Sequence, residues 1–526
     1  MRSDSFHSSF IKRSGLYLLA ILLTRLPLLY QDLLQVDEAI FAVGTRVWSH
    51  GGIPYLDFVE TKAMGIYYFY AFASFLTGHW PQISMIAVHA LTLLWTYLTA
   101  LTLEKMGTRF YSSFVGFWAA FFFILISANF VPNIVSTNME VVLLLPWTLS
   151  VYFLLRDPKY LKTYHSFLAG FFFSAAFITK YQSGILLPIV GFYFWILLFL
   201  YSRAWRFSRA FVHSLFFSLG CIPLIAAMLL SLKNQNALSS FYFWNFQGSL
   251  RYIEAGNQAI HLGQKIITRA LPYLASTALL WILVFQRLWN RFRKKIDLSP
   301  LQKGFEAFLI LWFLLTWVPV CMGKRFYDHY FLLLFPSACL LAAASLETYL
   351  SRPFKKLKVL FWVLLILPSV GFTGVRYSMH AIHAKWGGDD MSLYRPYGEF
   401  IQQQTKAEDR VFVWGYTPAV YWYADRLPAT RFMWSDLLSG RVPGIVLNSQ
   451  TVQTDALIML EAWDMLFEDF IKHPPELVVD MAPTGLHDYI HFPISRFSRL
   501  QQYLDQHYVL YPSFQNALVW KRKNIP

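Results

Sequence analysis

The sequence is a succession of apolar runs, each near the length that crosses a bilayer, separated by short loops that hold most of the charge. The runs fall near 14–30, 82–103, 108–128, 139–155, 164–179, 184–201, 210–232, 270–286, 305–322, 329–348 and 359–375. About 20 apolar residues in a helix span the hydrocarbon core. The expected fold class is therefore a polytopic α-helical membrane protein with about eleven transmembrane helices. The composition, 56% hydrophobic and 14% charged over 526 residues, carries too little charge for a soluble chain of this length. The aromatic share of 19%, with 19 Trp, suits interfacial belts as well as packing. The stretch GIYYFYAFASFLTG, 65–78, is short for a span and reads as a membrane-edge helix or part of one.

The net charge of +15 does not call for nucleic acid, because the excess Lys and Arg lies in short loops, where it sets topology. With the N-terminus in the cytoplasm, Lys105, Arg109 and the basic stretches 156–162, 203–209, 287–295 and 352–358 share the cytoplasmic side. The opposite loops, 31–65, 129–138, around Lys180, 233–265 and 323–328, carry fewer cations and most of the acids. This alternation places LLQVDEAIF, 33–41, outside, and with it the tail from about 376. The first apolar run has basic flanks and no small-residue cleavage site, so it is expected to stay as an anchor. Cys221, Cys321 and Cys339 sit in or beside apolar segments and read as small buried residues.

The tail differs in kind. RVFVWGY reads as a strand, AVYWYAD as a short helix or strand start, and DALIMLEAWDMLFEDFIKH as an amphipathic helix. PELVVDM is a second strand, SRFSRLQQYLDQHY another helix, and YVLYPSF and ALVWKRK two closing strands. The division expected is a transmembrane catalytic unit, 1–375, with its first external loop at 31–65, followed by a small C-terminal α/β extracytoplasmic domain, 376–526.

Two external stretches hold the groups that could do chemistry. The first loop carries Asp37, Glu38, Asp57, Glu60 and Lys62 beside the bilayer, with 38–48 patterned as a helix on the membrane surface. Most loop charges are only solvated. Carboxylates held against hydrocarbon lose solvation and their pKa tends to rise, which tunes them to accept a hydroxyl proton. The second stretch, GKRFYDHYFLLLFP at 323–336, gathers Lys324, Arg325, Tyr327, His329 and Tyr330. Arg325 and His329 are four apart, one face of a helix. Cations there suit either a phosphate group or an interfacial anchor. Arg25 reads as a cation snorkelling from a helix end, Lys180 as a loop cation or a second phosphate contact, and Asn138 with Glu140 as a helix cap. His50, His79 and His213 lack ligand spacing and read as structural.

An external carboxylate cluster, an external basic stretch and many spans together point to a phosphate-bearing lipid substrate. A carboxylate would deprotonate an acceptor hydroxyl, and cations would stabilise a lipid-phosphate leaving group. At this point VDEAIF…GGIPYLDFVETKAMGIYY, STNMEVVLLLP, GFFFSAAFITKYQSGILLP, GKRFYDHYFLLLFPSACLLAA and VFVWGYTPAVYWYADRLPATRF taken in order resemble the GT-C fold glycosyltransferases. They are most similar to the bacterial branch of the dolichyl-phosphate-mannose–protein mannosyltransferase family, relatives of the lipid A aminoarabinose transferases.

The resemblance implies an inverting transfer of a hexosyl or pentosyl group from a polyprenyl-phosphate donor to a lipid, glycan or protein acceptor of the envelope. It implies a site on the extracytoplasmic face of a bacterial inner membrane. By resemblance Asp37 is the catalytic base and Glu38 shapes the site, while Lys62, Arg325, His329 and Lys324 take the donor phosphate. Asp57, Glu60, Tyr327, Tyr330, Arg25 and Lys180 are additional candidates. Ala63 and Met64 stand where the family has two prolines, a departure that bears on the loop path and the reach of Lys62. Relatives can hold a divalent metal near Glu60, and metal use stays open. The alternatives are a polysaccharide polymerase or ligase using lipid-linked glycans, and a transporter or flippase of lipid-linked substrates. The early acid pair and the terminal α/β unit favour the transferase, and apart from Arg25 the spans show neither the mid-membrane charges nor the inverted repeats a transporter needs.

Overall fold

The computed structural model describes residues 2–128, 135–156, 161–201, 205–248, 250, 262–293, 297–350, 360–368, 371, 391–441 and 458–523. Apolar runs become helices because only internal hydrogen bonding satisfies the backbone in lipid. They are α1 (Arg2–Thr24), α4 (Met85–Phe110), α5 (Ser113–Ile126), α6 (Met139–Leu154), α7 (Thr163–Thr179), α8 (Phe207–Asn234), α9 (Ala278–Phe292), α10 (Pro300–Met322) and α11 (Phe335–Leu350). The first loop holds two further helices, α2 (Val36–Ser49) and α3 (Gly65–Leu76).

Among the described residues five segments are long and apolar enough to cross alone: Met85–Phe110, Tyr181–Leu200, Phe207–Asn234, Pro300–Met322 and Asp328–Tyr349. Leu262–Ser276 and Ala278–Phe292 form a broken span bent by 78°. Every run expected up to residue 348 carries a helix, and the chain is an integral membrane protein. Of the run 359–375, the basic stretches and loops 129–138 and 233–265, the stretch 352–358 and parts of the others lie outside the described residues.

Close helix contacts depend on small residues, as is common in lipid. α7 and α8 meet at Gly170 and Gly220, where an added Cβ would run into the facing backbone at Phe217 and Phe167. The bundle core includes Phe122, Trp147, Leu309 and Trp312. Cys339 is buried there, but Cys321 lies on the exposed surface of α10. That surface corresponds to lipid for a spanning helix, so exposure there does not require a polar residue.

The C-terminal unit is a four-stranded sheet in the order β1-β2-β4-β3, with helices packed on it. β1 (Val411–Trp414) and β2 (Leu477–Asp480) are parallel, and β2, β4 (Ala517–Arg522) and β3 (Tyr508–Phe514) are antiparallel neighbours. The first two strands, VFVW and LVVD, are short and wholly buried, as expected where both faces of a sheet are covered. The helices are α12 (Arg395–Gln404), α13 (Pro418–Ala424), α14 (Leu460–Lys472) and α15 (Ser498–His507).

The main departure from expectation is α2. The apolar spacing of 38–48 does form a helix, but not one resting on the membrane surface. Glu38 to Thr45 and Val47 are buried, and one core runs from Phe41, Tyr67 and Tyr70 into Trp414, Tyr421 and Leu466. Arg46 reaches across to the C-terminal end of α13, donating to the carbonyls of Tyr421 (3.3 Å) and Trp422 (3.4 Å). The Val59 N–H donates to the Arg431 carbonyl at 2.8 Å. The first loop is thus clamped between the helical bundle and the C-terminal unit.

Candidate active site at the first loop

Five segments distant in sequence meet at one end of the bundle: the first turn of α2, the stretch before α3, the first turn of α6, the residue after α7, and the 3-10 turn Asp328–Leu334. They bring Asp37, Lys62, Glu140, Lys180 and His329 into one charged cluster.

Asp37 sits in the first turn of α2, where the helix dipole favours a negative charge. Its side chain is 23% exposed, and Oδ1 lies 3.4 Å from Lys62 Nζ. Burial alone would push this carboxyl up, as its place at a hydrocarbon boundary suggests. The positive charges of Lys62, His329 and Lys180 outweigh burial and hold it below the usual aspartate range. This reverses the sequence-based expectation of a raised pKa, because the expectation left out the cations that the fold brings in.

Lys62 reaches Asp37 although Ala63 and Met64 replace the two prolines. Tyr55 OH donates to the Lys62 carbonyl at 2.9 Å, and Ala63 and Met64 are buried in the core. The Lys62 ammonium also lies 4.8 Å from the Phe41 ring centroid. At Gly65 a Cβ would come within 2.6 Å of Thr179 Cα, so only glycine lets the start of α3 abut the end of α7. That contact sets the Lys62 stretch beside Lys180.

Glu140 is the residue the sequence reading missed. Asn138 caps α6 as expected, its side chain accepting from the Val141 N–H at 3.0 Å. Glu140 instead is buried, ion-paired with Lys180, and its Oε1 lies 3.7 Å from His329 Nε2. Lys180 also stands over the Tyr330 ring at 4.5 Å. The available signal was an acid opening one apolar run with a lysine closing the next.

The stretch before His329 is irregular, in keeping with the external loop expected at 323–328, so Arg325 and His329 do not share a helix face. Lys324 (φ 51°) and Phe326 (φ 46°) adopt left-handed backbone, which costs of order 1–3 kcal/mol per residue. The alternation points Arg325 inward and leaves Lys324 exposed. The Tyr327 and His329 rings stack at 5.6 Å, and Arg269, not singled out by sequence, stands 4.7 Å from the Tyr327 ring and donates to the Arg325 carbonyl at 3.3 Å.

The remaining candidates stand apart from the open carboxylate. Glu38 is fully buried, with both oxygens accepting backbone N–H groups. Asp57 closes its own turn, accepting from the Ile53 N–H at 2.7 Å. Arg25 does not snorkel: it is 3% exposed and donates to the Ile124 carbonyl (3.0 Å) and to Ser127 Oγ (2.6 Å), capping the end of α5. Glu60 is buried and its carboxyl is raised by that burial, against the pull of Lys62. Its oxygens accept from Tyr67 OH at 2.7 Å and the Thr61 N–H at 2.8 Å. Among the described residues no group of three or more His, Cys, Asp or Glu side chains could hold a metal ion.

The fold is that of the GT-C membrane glycosyltransferases. ArnT from Cupriavidus metallidurans bound to undecaprenyl phosphate superposes with a TM-score of 0.59 at 13% identity, covering 96% of this chain and 97% of that one. ArnT from Cupriavidus metallidurans in the apo state gives a TM-score of 0.59 at 11% identity, over 99% of this chain and 98% of that chain. The archaeal oligosaccharyltransferase AglB from Archaeoglobus fulgidus, in complex with an inhibitory peptide and a dolichol-phosphate, gives a TM-score of 0.52 at 11% identity, covering 98% and 74%. No protein-family model and no curated protein matches the chain in sequence. At these identities the likeness is one of fold.

Proposed function

We propose that this chain is an inverting glycosyltransferase that moves a sugar from a polyprenyl-phosphate donor to an acceptor hydroxyl of the cell envelope, on the extracytoplasmic face of a bacterial inner membrane. In this reading residues 1–375 are the catalytic membrane unit and 376–526 an external unit that braces the first loop. The observation that carries it is a partly open carboxylate, Asp37, paired with Lys62 at the converging ends of spanning helices in a GT-C fold. The polyprenyl phosphates bound in ArnT and AglB support a lipid of that class as the donor's carrier. Positive-inside alternation supports the extracytoplasmic placement.

The acceptor oxygen attacks the anomeric carbon opposite the phosphate, and Asp37 takes its proton. The bond from that carbon to the phosphate oxygen breaks, and the electron pair leaves with the lipid phosphate. Lys62, Arg325 and His329, with Lys324 and Lys180 at the same end, stabilise the leaving charge. Tyr327 and Tyr330 hold the rings and cations around it in place. The Asp37–Lys62 pair gives the site a resting state. A lipid phosphate that draws Lys62 to itself withdraws the cation holding the Asp37 pKa down, and Asp37 becomes a stronger base as the donor arrives.

The test is mass spectrometry of envelope lipids, glycans and proteins from cells with and without the protein. One sugar substituent should disappear without it, return with the wild type, and not return with Asp37→Asn. An unchanged sugar inventory would refute the proposal and would point to the donor and acceptor lying elsewhere.

A further inference from the structure

Beneath Asp37 lies a buried polar cluster that the proposed chemistry does not use. His89, on α4, is fully buried. Its Nδ1 is 2.9 Å from the Leu28 carbonyl oxygen and its Nε2 is 3.2 Å from Glu38 Oε1. A carbonyl oxygen can only accept, so Nδ1 donates. A neutral ring would then turn a bare lone pair toward the Glu38 carboxylate, so one further proton lies between Nε2 and Glu38. Glu38 also accepts the N–H groups of Leu34 (2.7 Å) and Thr137 (2.6 Å), so both of its oxygens are fixed.

Thr137 is gripped at all three of its polar atoms. Its N–H donates to Glu38, its carbonyl accepts from Tyr70 OH at 2.9 Å, and its hydroxyl bonds Thr92 Oγ1 at 2.8 Å. Glu38 is next to Asp37, and Thr137 is three residues from Glu140. The cluster therefore joins the two chain segments that carry the two acids of the charged site.

We propose that His89 is a positioning residue: bonded at both ring nitrogens it holds Glu38, and through Glu38 and Thr137 it sets Asp37 against the Lys62–Glu140–Lys180–His329 group. The proposal rests on the transferase reading for its effect on rate, but the clamp itself can be measured without substrate. The cations facing Asp37 are Lys62, His329 and Lys180, with Glu60 and Tyr70 also in range, so displacing α2 weakens the field of the three cations at once.

The experiment compares wild type, His89→Gln, Glu38→Gln and the double variant, purified in the same detergent. A panel of polyprenyl-phosphate sugars serves as donor, and thermal unfolding is followed in parallel. A glutamine in place of His89 keeps an N–H donor but lacks the rigid ring that bridges the Leu28 carbonyl and Glu38. For folded His89→Gln the expectation is a kcat lower by about tenfold or more, since small misplacements of reacting groups are costly. The donor KM should stay within about twofold of wild type, as expected when positioning rather than donor binding is lost. The low-pH limb of kcat/KM should move to higher pH as Asp37 loses its cations. If His89→Gln does not fold, Thr92→Val, which removes one grip on Thr137, should show the same shifts in smaller measure. Folded variants with wild-type kcat and an unmoved limb would overturn the proposal. If the wild type transfers no sugar, the transferase reading fails and the unfolding midpoints decide the clamp: non-additive losses for His89→Gln and Glu38→Gln support it, and additive losses overturn it.

Discussion

Lys62 Nζ lies 3.4 Å from Asp37 Oδ1, although 25 residues and a helix of their own separate them in the chain. The pair keeps Asp37 ionised and keeps Lys62 within reach of whatever anion enters. Replacing Lys62 with Met removes the nearest cation, so the Asp37 pKa should rise toward the burial-driven value. The low-pH limb of kcat/KM should then move to higher pH, with the donor KM raised. Because the folded pKa is depressed, this carboxylate contributes stability above its unfolded value and loses it as pH falls through the folded value. Lys62→Met should flatten that acid-side loss in thermal unfolding between about pH 5 and pH 3. An unmoved limb would separate Lys62 from Asp37 functionally.

Asp37→Asn keeps the shape and removes the base. Transfer should fall by about 10²–10⁴, the usual contribution of a positioned proton acceptor. The variant should still elute as a monodisperse folded protein on size exclusion. Normal transfer by the Asn variant would mean that Asp37 is not the base.

Glu140 and Lys180 form a buried ion pair, and removing one partner strands the other. Glu140→Gln should cost about 3–5 kcal/mol in stability, whereas the double variant Glu140→Gln, Lys180→Met should recover much of that loss. Thermal or denaturant unfolding in detergent reads both. Losses of Glu140→Gln and Lys180→Met that simply add in the double variant would show that the pair carries no coupling.

Gly65→Ala should be destabilising by about 1–3 kcal/mol, because the added methyl meets the Thr179 and Ile178 backbone, which cannot give way. It should also raise the donor KM by moving Lys62. Gly15→Ala in α1 is the control: nothing lies within 4 Å of its Cβ position, so it should be neutral or slightly stabilising.

Arg46 ties α2 to the C-terminal unit through two carbonyls, an ion pair with Asp425 at 3.3 Å and a contact 4.4 Å from the Trp422 ring. Asp425 is 68% exposed, so its pairing is screened and Asp425→Asn should change stability by less than about 1 kcal/mol. Arg46→Leu removes the carbonyl contacts as well. Hydrogen exchange should then quicken in both α2 and α13, and unchanged exchange would rule out the brace.

Much of the fold was legible because it is written locally. Apolar length marked the helices of the bundle, and alternation with turn residues marked β1 to β4 and the C-terminal helices. α2 was visible as a helix but not as a buried one, since its second apolar face is covered by α13, some 370 residues away in the chain. The loop at 323–328 was visible, but spacing alone does not reveal the left-handed residues that turn Arg325 inward.

For the candidate site, residue type and topology singled out Asp37, Lys62, Lys180 and His329 before any of them could be seen to meet. Glu140 was hidden behind a capping role that its neighbour Asn138 fills. Glu38 was read as the neighbour that shapes the site; in the structure Asp37 faces the cations and Glu38 is locked beneath by His89 and Thr137.

By itself the sequence determined that this chain lies in a membrane as helices, which end carries its acids, and that an α/β unit follows. Those follow from the hydropathy and charge of neighbouring residues. Only the tertiary structure decided which charges meet, that Arg25 caps a helix rather than reaching the interface, and that the Asp37 pKa falls rather than rises. Electrostatic energy depends on distance and burial in space, and the charged groups around Asp37 come from segments that only the packed bundle brings within range.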